Sequence, residues 1–239
     1  MRRRQVLVAT TGVVGMAGCV TGERSGERDD TGESDRSDRP DRIASATVVD
    51  ANVLTAPYFS NGGGEETPWV RVDVENTESV PHGGLTVEHR LLDAEGTELT
   101  SSSRAGTYVP ANATWRYFVR EDADLESVED VEAEIVDERA TVDATLIEDV
   151  PVREPSLSFG GDLVTVDGDL EVGAVDESTL FVVAPVHDDE DTFRGSCTHG
   201  IRDVDGDRVE FNADAAGFRT PDGYPAPTDT DVLVFDDRP

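Results

Sequence analysis

The side chains best suited to hold a soft metal ion are those of Cys197-Thr198-His199, with His187 a short way upstream. On a strand, residues i and i+2 share a face, so the Cys197 thiol and the His199 imidazole could meet one transition-metal ion. A copper site needs a further Met or His close behind, and both methionines, Met1 and Met16, lie at the far N-terminus. The alternative for Cys197 is a small buried apolar group. A harder ligand set is offered by Asp203-Val204-Asp205-Gly206-Asp207. Asp203, Asp205 and Asp207 have the first ligand spacings of a calcium-binding loop, but Arg208 stands at the sixth position, where that loop needs Gly. The same residues equally suit an Asp-Gly hairpin turn.

Other chemistry is sparse. The chain has no G-x-S-x-G nucleophile elbow, no phosphate-binding Gly loop and no C-x-x-C. No cofactor motif is present, and the residues predict no enzymatic activity. His89 falls on the apolar side of an alternating run and reads as a core histidine, while His82 belongs to a Gly/Pro turn. Asn112-Ala113-Thr114 is an N-glycosylation sequon on an expected surface turn.

The cysteine with the clearest role is Cys19. It follows a basic stretch (Arg2, Arg3, Arg4), an apolar run from Val6 to about Ala17, and the small residues of Met16-Ala17-Gly18. The apolar run is too short to cross a hydrocarbon core, which takes about 20 residues, and it has the layout of an export signal. Arg3-Arg4-Gln5-Val6-Leu7 resembles the twin-arginine export motif, and Met16-Ala17-Gly18-Cys19 resembles a lipobox, whose cysteine takes the lipid. The expectation is a signal over residues 1–18, cleaved before a lipidated Cys19, with the mature chain held on the outer face of the cell membrane. Cleavage would also remove three arginines and take the net charge from −32 to −35. One acyl chain binds only marginally, so stable anchoring implies a two-chain lipid or a second contact. With Cys19 lipidated, Cys197 has no partner for an internal disulfide.

Composition sets the solvent. The chain carries 52 acidic against 20 basic residues, and every basic residue is Arg. An Asp-rich, Lys-free composition resembles that of proteins from salt-in halophiles such as haloarchaea. Net −32 repels itself in dilute buffer, whereas molar salt shortens the Debye length to about 3 Å. Nucleic acid is excluded as a partner, because phosphate contact needs basic patches. The partners expected are the membrane, through the lipid on Cys19, and a surface protein or solute.

The elements follow from patterning. Val20–Arg42 alternates Gly, Ser, Asp, Glu and Arg and cannot form a core, so residues 19–42 read as a lipidated cysteine followed by a disordered tether. From Ile43 the period becomes two, and strands are predicted over Ala46–Leu54, Val70–Val74, Leu85–Leu91, Glu98–Ser103, Trp115–Val119, Val131–Ile135 and Val142–Leu146. Asp122–Val131 holds the only helical hint. These strands predict an antiparallel β-sandwich over residues 43–150. Pro151–Pro155 reads as a linker to a second β-rich domain, residues 151–239, expected to be another sandwich. Its strands are placed at Leu163–Val166, Leu170–Val175, Leu180–Val186, Thr192–Cys197, Arg208–Asn212 and Asp231–Phe235. Turns are expected at Val166–Asp169, His187–Thr192 and Asp203–Asp207, and a long loop at Asp214–Thr230.

Within the first β segment, Trp69–Leu99 and Tyr108–Val119 resemble the FxLyD-type immunoglobulin-like domain of prokaryotic surface lipoproteins. The likeness lies in Val72, Val74 and Asn76, then Leu92-Asp93-Ala94 with Gly96, then Pro110 ahead of Trp115 and Tyr117. The turn departs from the family's frequent Pro-Gly-Glu type, being Val109-Pro110-Ala111-Asn112 here. The resemblance implies an extracytoplasmic β-sandwich without a catalytic role. The whole reading is a twin-arginine-exported lipoprotein of a haloarchaeon with a structural or binding role. The alternative is an extracytoplasmic metal-binding protein, of calcium or copper type, with redox activity in the latter case.

Overall fold

The computed structural model describes residues 44–60, 63–175, 177–204 and 206–239. The expected signal, the tether, Arg3, Arg4, Cys19 and Asp205 lie outside the described residues. The fold is all-β, with sheets packed as sandwich-like layers.

Among the described residues, six strands precede Pro151: β1 (Ala46–Ser60), β2 (Gly63–Asn76), β3 (Gly84–Leu92), β4 (Glu98–Gly106), β5 (Thr114–Arg120) and β6 (Asp130–Arg139). Strands β1, β2 and β5 lie side by side in one layer, and β4, β3 and β6 form a separate three-stranded sheet. Alternation decides what lies between them. Val70, Val72 and Val74 of β2, Leu85, Val87 and Leu91 of β3, and Trp115 and Tyr117 of β5 are all buried in one cluster. The opposite face of the first layer carries charge: Asp73 of β2 accepts two hydrogen bonds from the neighbouring Arg116 of β5, at 2.8 and 2.9 Å. Arg71 extends this ladder to Asp50 of β1. Phe118 breaks the expected alternation because it also faces outward, packing with Trp69 and Ala56 under Tyr224. The helical hint amounts to one 3-10 turn, Leu125–Ser127, capped by the Asp124 side chain.

Asn76 closes β2 and organises the turns beside it. It is fully buried, and its amide donates to the carbonyls of Val80 (2.9 Å) and Pro110 (3.0 Å) while its Oδ1 accepts from the Glu78 amide. Asp93 shapes the β3–β4 hairpin in the same manner, accepting from the Glu95 and Thr97 amides. Side chains that bond the backbone of their own turns in this way fix loop geometry.

Seven strands follow: β7 (Val152–Gly160), β8 (Leu163–Glu171), β9 (Thr179–Asp188), β10 (Phe193–Arg202), β11 (Arg208–Ala216), β12 (Pro227–Thr230) and β13 (Leu233–Phe235). They belong to one sheet rather than two, in the order β7-β8-β11-β10-β9, with β12 and β13 both pairing β9. The sheet encloses a core of Val164, Val166, Leu170, Leu180, Val182, Ala184, Val186, Cys197, Phe211 and Ala213. It is continuous with the first layer, because β10 runs parallel to β5 with Phe193 opposite Trp115.

Several local expectations are corrected. Val166–Asp169 is not a turn but the middle of β8, where Gly168 sits opposite Phe211. A Cβ at Gly168 would stand 2.9 Å from the Phe211 ring, so this glycine makes room for an aromatic side chain rather than for a reversal. β8 ends at Glu171, short of the strand placed at Leu170–Val175. Val152–Pro155, read as linker, opens β7 as an edge strand, where proline is tolerated. Val142–Leu146 is not a strand, although Leu146 forms an isolated bridge with Phe235. The loop expected at Asp214–Thr230 is shortened at both ends by β11 and β12.

Candidate functional site

Cys197 and His199 both lie on β10, two residues apart. Cys197 is fully buried, its thiol donating weakly to the Val164 carbonyl at 3.6 Å, and burial pushes the thiol up to about 12. A thiol so held stays protonated at neutral pH and is a poor ligand. His199 is half-buried, and the His187 ring packs against Phe193, 5.7 Å between centroids. Asp203 and Asp207 lie in the turn between β10 and β11, with Asp203 at φ 55°. Arg208 opens β11, so the chain after Asp207 runs straight instead of wrapping an ion. Among the described residues no three His, Cys, Asp or Glu side chains come together as a metal site. Asn112 is exposed on its turn at φ 55°, accessible to modification.

The fold assembles one cluster that has the ingredients of hydrolytic chemistry. His89 on β3, Ser102 on β4 and Glu121 just past β5 meet between the two layers of the first segment. Glu121 Oε1 lies 2.7 Å from His89 Nε2 and 2.6 Å from Ser102 Oγ, and Ser102 Oγ is 3.0 Å from the same Nε2. Burial alone would raise the Glu121 carboxyl, but the hydrogen bonds from His89 and Ser102 outweigh it and hold the group below its ordinary range. An ionised carboxylate only accepts, so Nε2 carries a proton and the serine hydroxyl directs its own proton to Glu121. A nucleophilic serine needs the lone pair of a base facing it and the acid on the other ring nitrogen. Here both contacts converge on Nε2, and Nδ1 is buried without a partner. The cluster is therefore a polar pin joining the two layers. Glu121 and Ser102 carry no sequence signal; Ser102 stands in a run of three serines.

The second concentration of polar groups lies where the strands before and after Pro151 meet. The Trp115 indole N–H donates to the Arg194 carbonyl at 3.1 Å, and Arg194 Nε donates to the Arg116 carbonyl at 3.1 Å. The Arg194 guanidinium, almost wholly buried, also donates to Pro225 O and Thr220 Oγ1, and it lies 4.8 Å from the centre of the Phe118 ring. Its counter-ion is Asp188, 3.5 Å away and equally buried. Asp188 additionally accepts from the Glu190 and Thr192 amides, which fixes the expected turn at His187–Thr192. Gly195, at φ 141°, faces the Phe218 ring, where an added Cβ would stand 2.9 Å away.

Beside this seam opens a cleft of about 380 Å³, lined by Pro57 and Trp69 from one side and by Gly161, Asp162, Arg219, Thr220, Pro221 and Asp222 from the other. Arg219 pairs with Asp162 at 3.1 Å while both stay substantially exposed. Trp69 is only 3% exposed, and its indole N–H has no hydrogen-bond partner. Sequence reasoning did not single out these residues, because their segments are far apart in the chain.

Among the described residues, no helix is long and apolar enough to cross a membrane. Comparison with protein-family models, with curated proteins and with solved structures gives no match.

Proposed function

We propose that the chain is a lipid-anchored extracytoplasmic protein of a halophile, exported by the twin-arginine route, whose β-sheet body serves a noncatalytic binding or structural role. The observation that carries this reading is the order of features at the N-terminus. Three arginines, a short apolar run, small residues and Cys19 are followed by a charged segment without core-forming residues. The apolar run engages the membrane, Cys19 takes the lipid, and the charged segment spaces the body from the surface.

The body is consistent with this role. Among the described residues its first strand starts at Ala46, beyond the charged segment, and its Ser102, His89 and Glu121 form a pin rather than a proton relay. A twin-arginine route carries folded chains, which suits a protein of net −32 that needs concentrated salt to stay compact. Membrane fractionation of the wild type beside Cys19→Ser tests the anchor. The wild type is expected in the membrane fraction and Cys19→Ser in the soluble one; equal membrane retention of both contradicts it.

A further inference from the structure

We propose that Asn112 carries an N-linked glycan, added to the folded body by a transferase held in the membrane; this rests on the exported, lipid-anchored reading. Of Asn52, Asn61, Asn76, Asn112 and Asn212, only Asn112 has Ser or Thr two positions on, and the residue between is Ala rather than Pro. The twin-arginine route delivers a folded chain, so the acceptor has to be reachable after folding. Asn112 meets that condition. It is exposed at the tip of the turn before β5, where the Ala113 N–H closes onto the Pro110 carbonyl at 3.3 Å. Among the described residues, neither its carboxamide nor the Thr114 hydroxyl is engaged in a hydrogen bond. Asn76 shows the contrast, being fully buried with its amide spent on Val80 and Pro110.

The fold also sets where on the body the site lies. The charged segment after Cys19 enters the described body at Ala44. Ala46 pairs with Asn76 at the end of β2, and the Thr77 N–H donates to the Ser45 carbonyl at 3.3 Å. On the other edge of β2, the Asn76 N–H donates to the Ala113 carbonyl and the Asn112 N–H to the Glu78 carbonyl, each at 2.9 Å. The chain entry, the end of β2 and the sequon are thus neighbours at one end of a single layer. Two strand spacings separate the entry from Asn112 by about 10 Å. A lipid on Cys19 would hold the body by this same end, which brings Asn112 toward the membrane.

The reaction fits that placement. The co-substrate is a saccharide carried on a membrane lipid through a phosphate ester. Asn112 Nδ2 attacks the anomeric carbon, so a C–N bond forms as the C–O bond to phosphate breaks. The lipid phosphate leaves with the electron pair, and the amide proton passes to a base of the transferase. Thr114 supplies the hydroxyl that the acceptor triplet requires.

The test uses the full chain made in a halophilic host whose own surface proteins carry N-linked glycans. Protein from the membrane fraction, kept in molar KCl, is digested with trypsin. The chain has no Lys, so cleavage falls after Arg and Asn112 lies in the peptide Ala105–Arg116. That peptide is expected to gain the mass of one or more sugar residues, with fragmentation locating them on Asn112. Thr114→Val should lose the sugar with the acceptor asparagine intact, and Thr114→Ser should keep it. Asn112→Asp, which tolerates the left-handed turn, should lose it as well. Circular dichroism in molar KCl checks that the three variants fold as the wild type does. A processed, membrane-bound wild type with an unmodified Ala105–Arg116 peptide overturns the proposal and leaves the anchor standing. Sugar retained in Thr114→Val, or located on a Ser or Thr, overturns it too. A chain that keeps residues 1–18 and stays unmodified removes both this modification and the anchor.

Discussion

Trp115 and Arg194 hold each other across the junction of the two strand sets: the indole N–H binds the Arg194 carbonyl, and the Arg194 guanidinium reaches back to the carbonyl of Arg116, beside Trp115. The exchange sits where β5 and β10 run parallel, with Phe193 opposite Trp115. Arg194 thus ties β5, the turn at Asp188 and the segment containing Thr220 and Pro225 into one buried knot.

Truncating Arg194 leaves Asp188 buried without its counter-ion. Breaking one side of a buried pair costs about 3–5 kcal/mol, and the amides of Glu190 and Thr192 place Arg194→Ala near the lower end. Denaturant unfolding in molar KCl should show that loss, with Arg194→Met/Asp188→Asn recovering part of it. The shared knot also predicts one transition, with tryptophan fluorescence and circular dichroism coinciding.

Asn76→Ala removes the amide that binds Val80 O and Pro110 O and the oxygen that receives the Glu78 N–H. The expected loss is about 1–2 kcal/mol, because the half-buried Val80 carbonyl and the Glu78 amide lose this partner while Pro110 O keeps the Ala113 amide. Asn76→Asp should not rescue it, since a carboxylate cannot donate to those carbonyls. Equilibrium unfolding of both variants checks this.

Acid should weaken the fold in two steps. His82 is fully buried, its nitrogens have no hydrogen-bond partner, and Glu138 is 3.6 Å away. Burial outweighs that carboxylate and lowers His82 below 6.5, so the unfolded chain binds this proton more readily. Stability is then full above about pH 6.5 and falls as pH drops toward the folded value. Glu121, also held below its ordinary 4.5, adds a further loss below that pH. A His82→Gln variant should lose the upper step and keep the lower one, as read by melting temperature against pH.

Salt should act in the opposite direction from that expected of a fold held by surface ion pairs. At net −32 self-repulsion dominates, and screening relieves it. The melting temperature is expected to climb between about 0.1 M and 3 M KCl. A flat curve would remove the halophilic reading.

The layers were legible in the sequence where burial is one-sided. Val70, Val72 and Val74 alternate with charged residues because one face meets the core and the other carries the Asp73–Arg116 ladder. Gly168 misled because glycine signals both reversals and close approach, and only the pairing with Phe211 tells them apart. β7 escaped notice because an edge strand need not be apolar on either face. The pin and the cleft were invisible for a different reason. His89, Ser102 and Glu121, like Trp69 and Arg219, meet only through non-local strand pairing, which residue patterning does not encode. The Asp93 turn, by contrast, acts on its own neighbourhood, through the Glu95 and Thr97 amides.

The central claim is that Cys19 is the first residue of a lipid-bearing mature chain. Intact-mass and N-terminal peptide mass spectrometry of protein purified from a halophilic host in molar KCl tests it most directly. The predicted result is a chain lacking residues 1–18, with the mass of a two-chain lipid added at Cys19. A chain that keeps Met1–Gly18, or begins elsewhere with Cys19 unmodified, contradicts it.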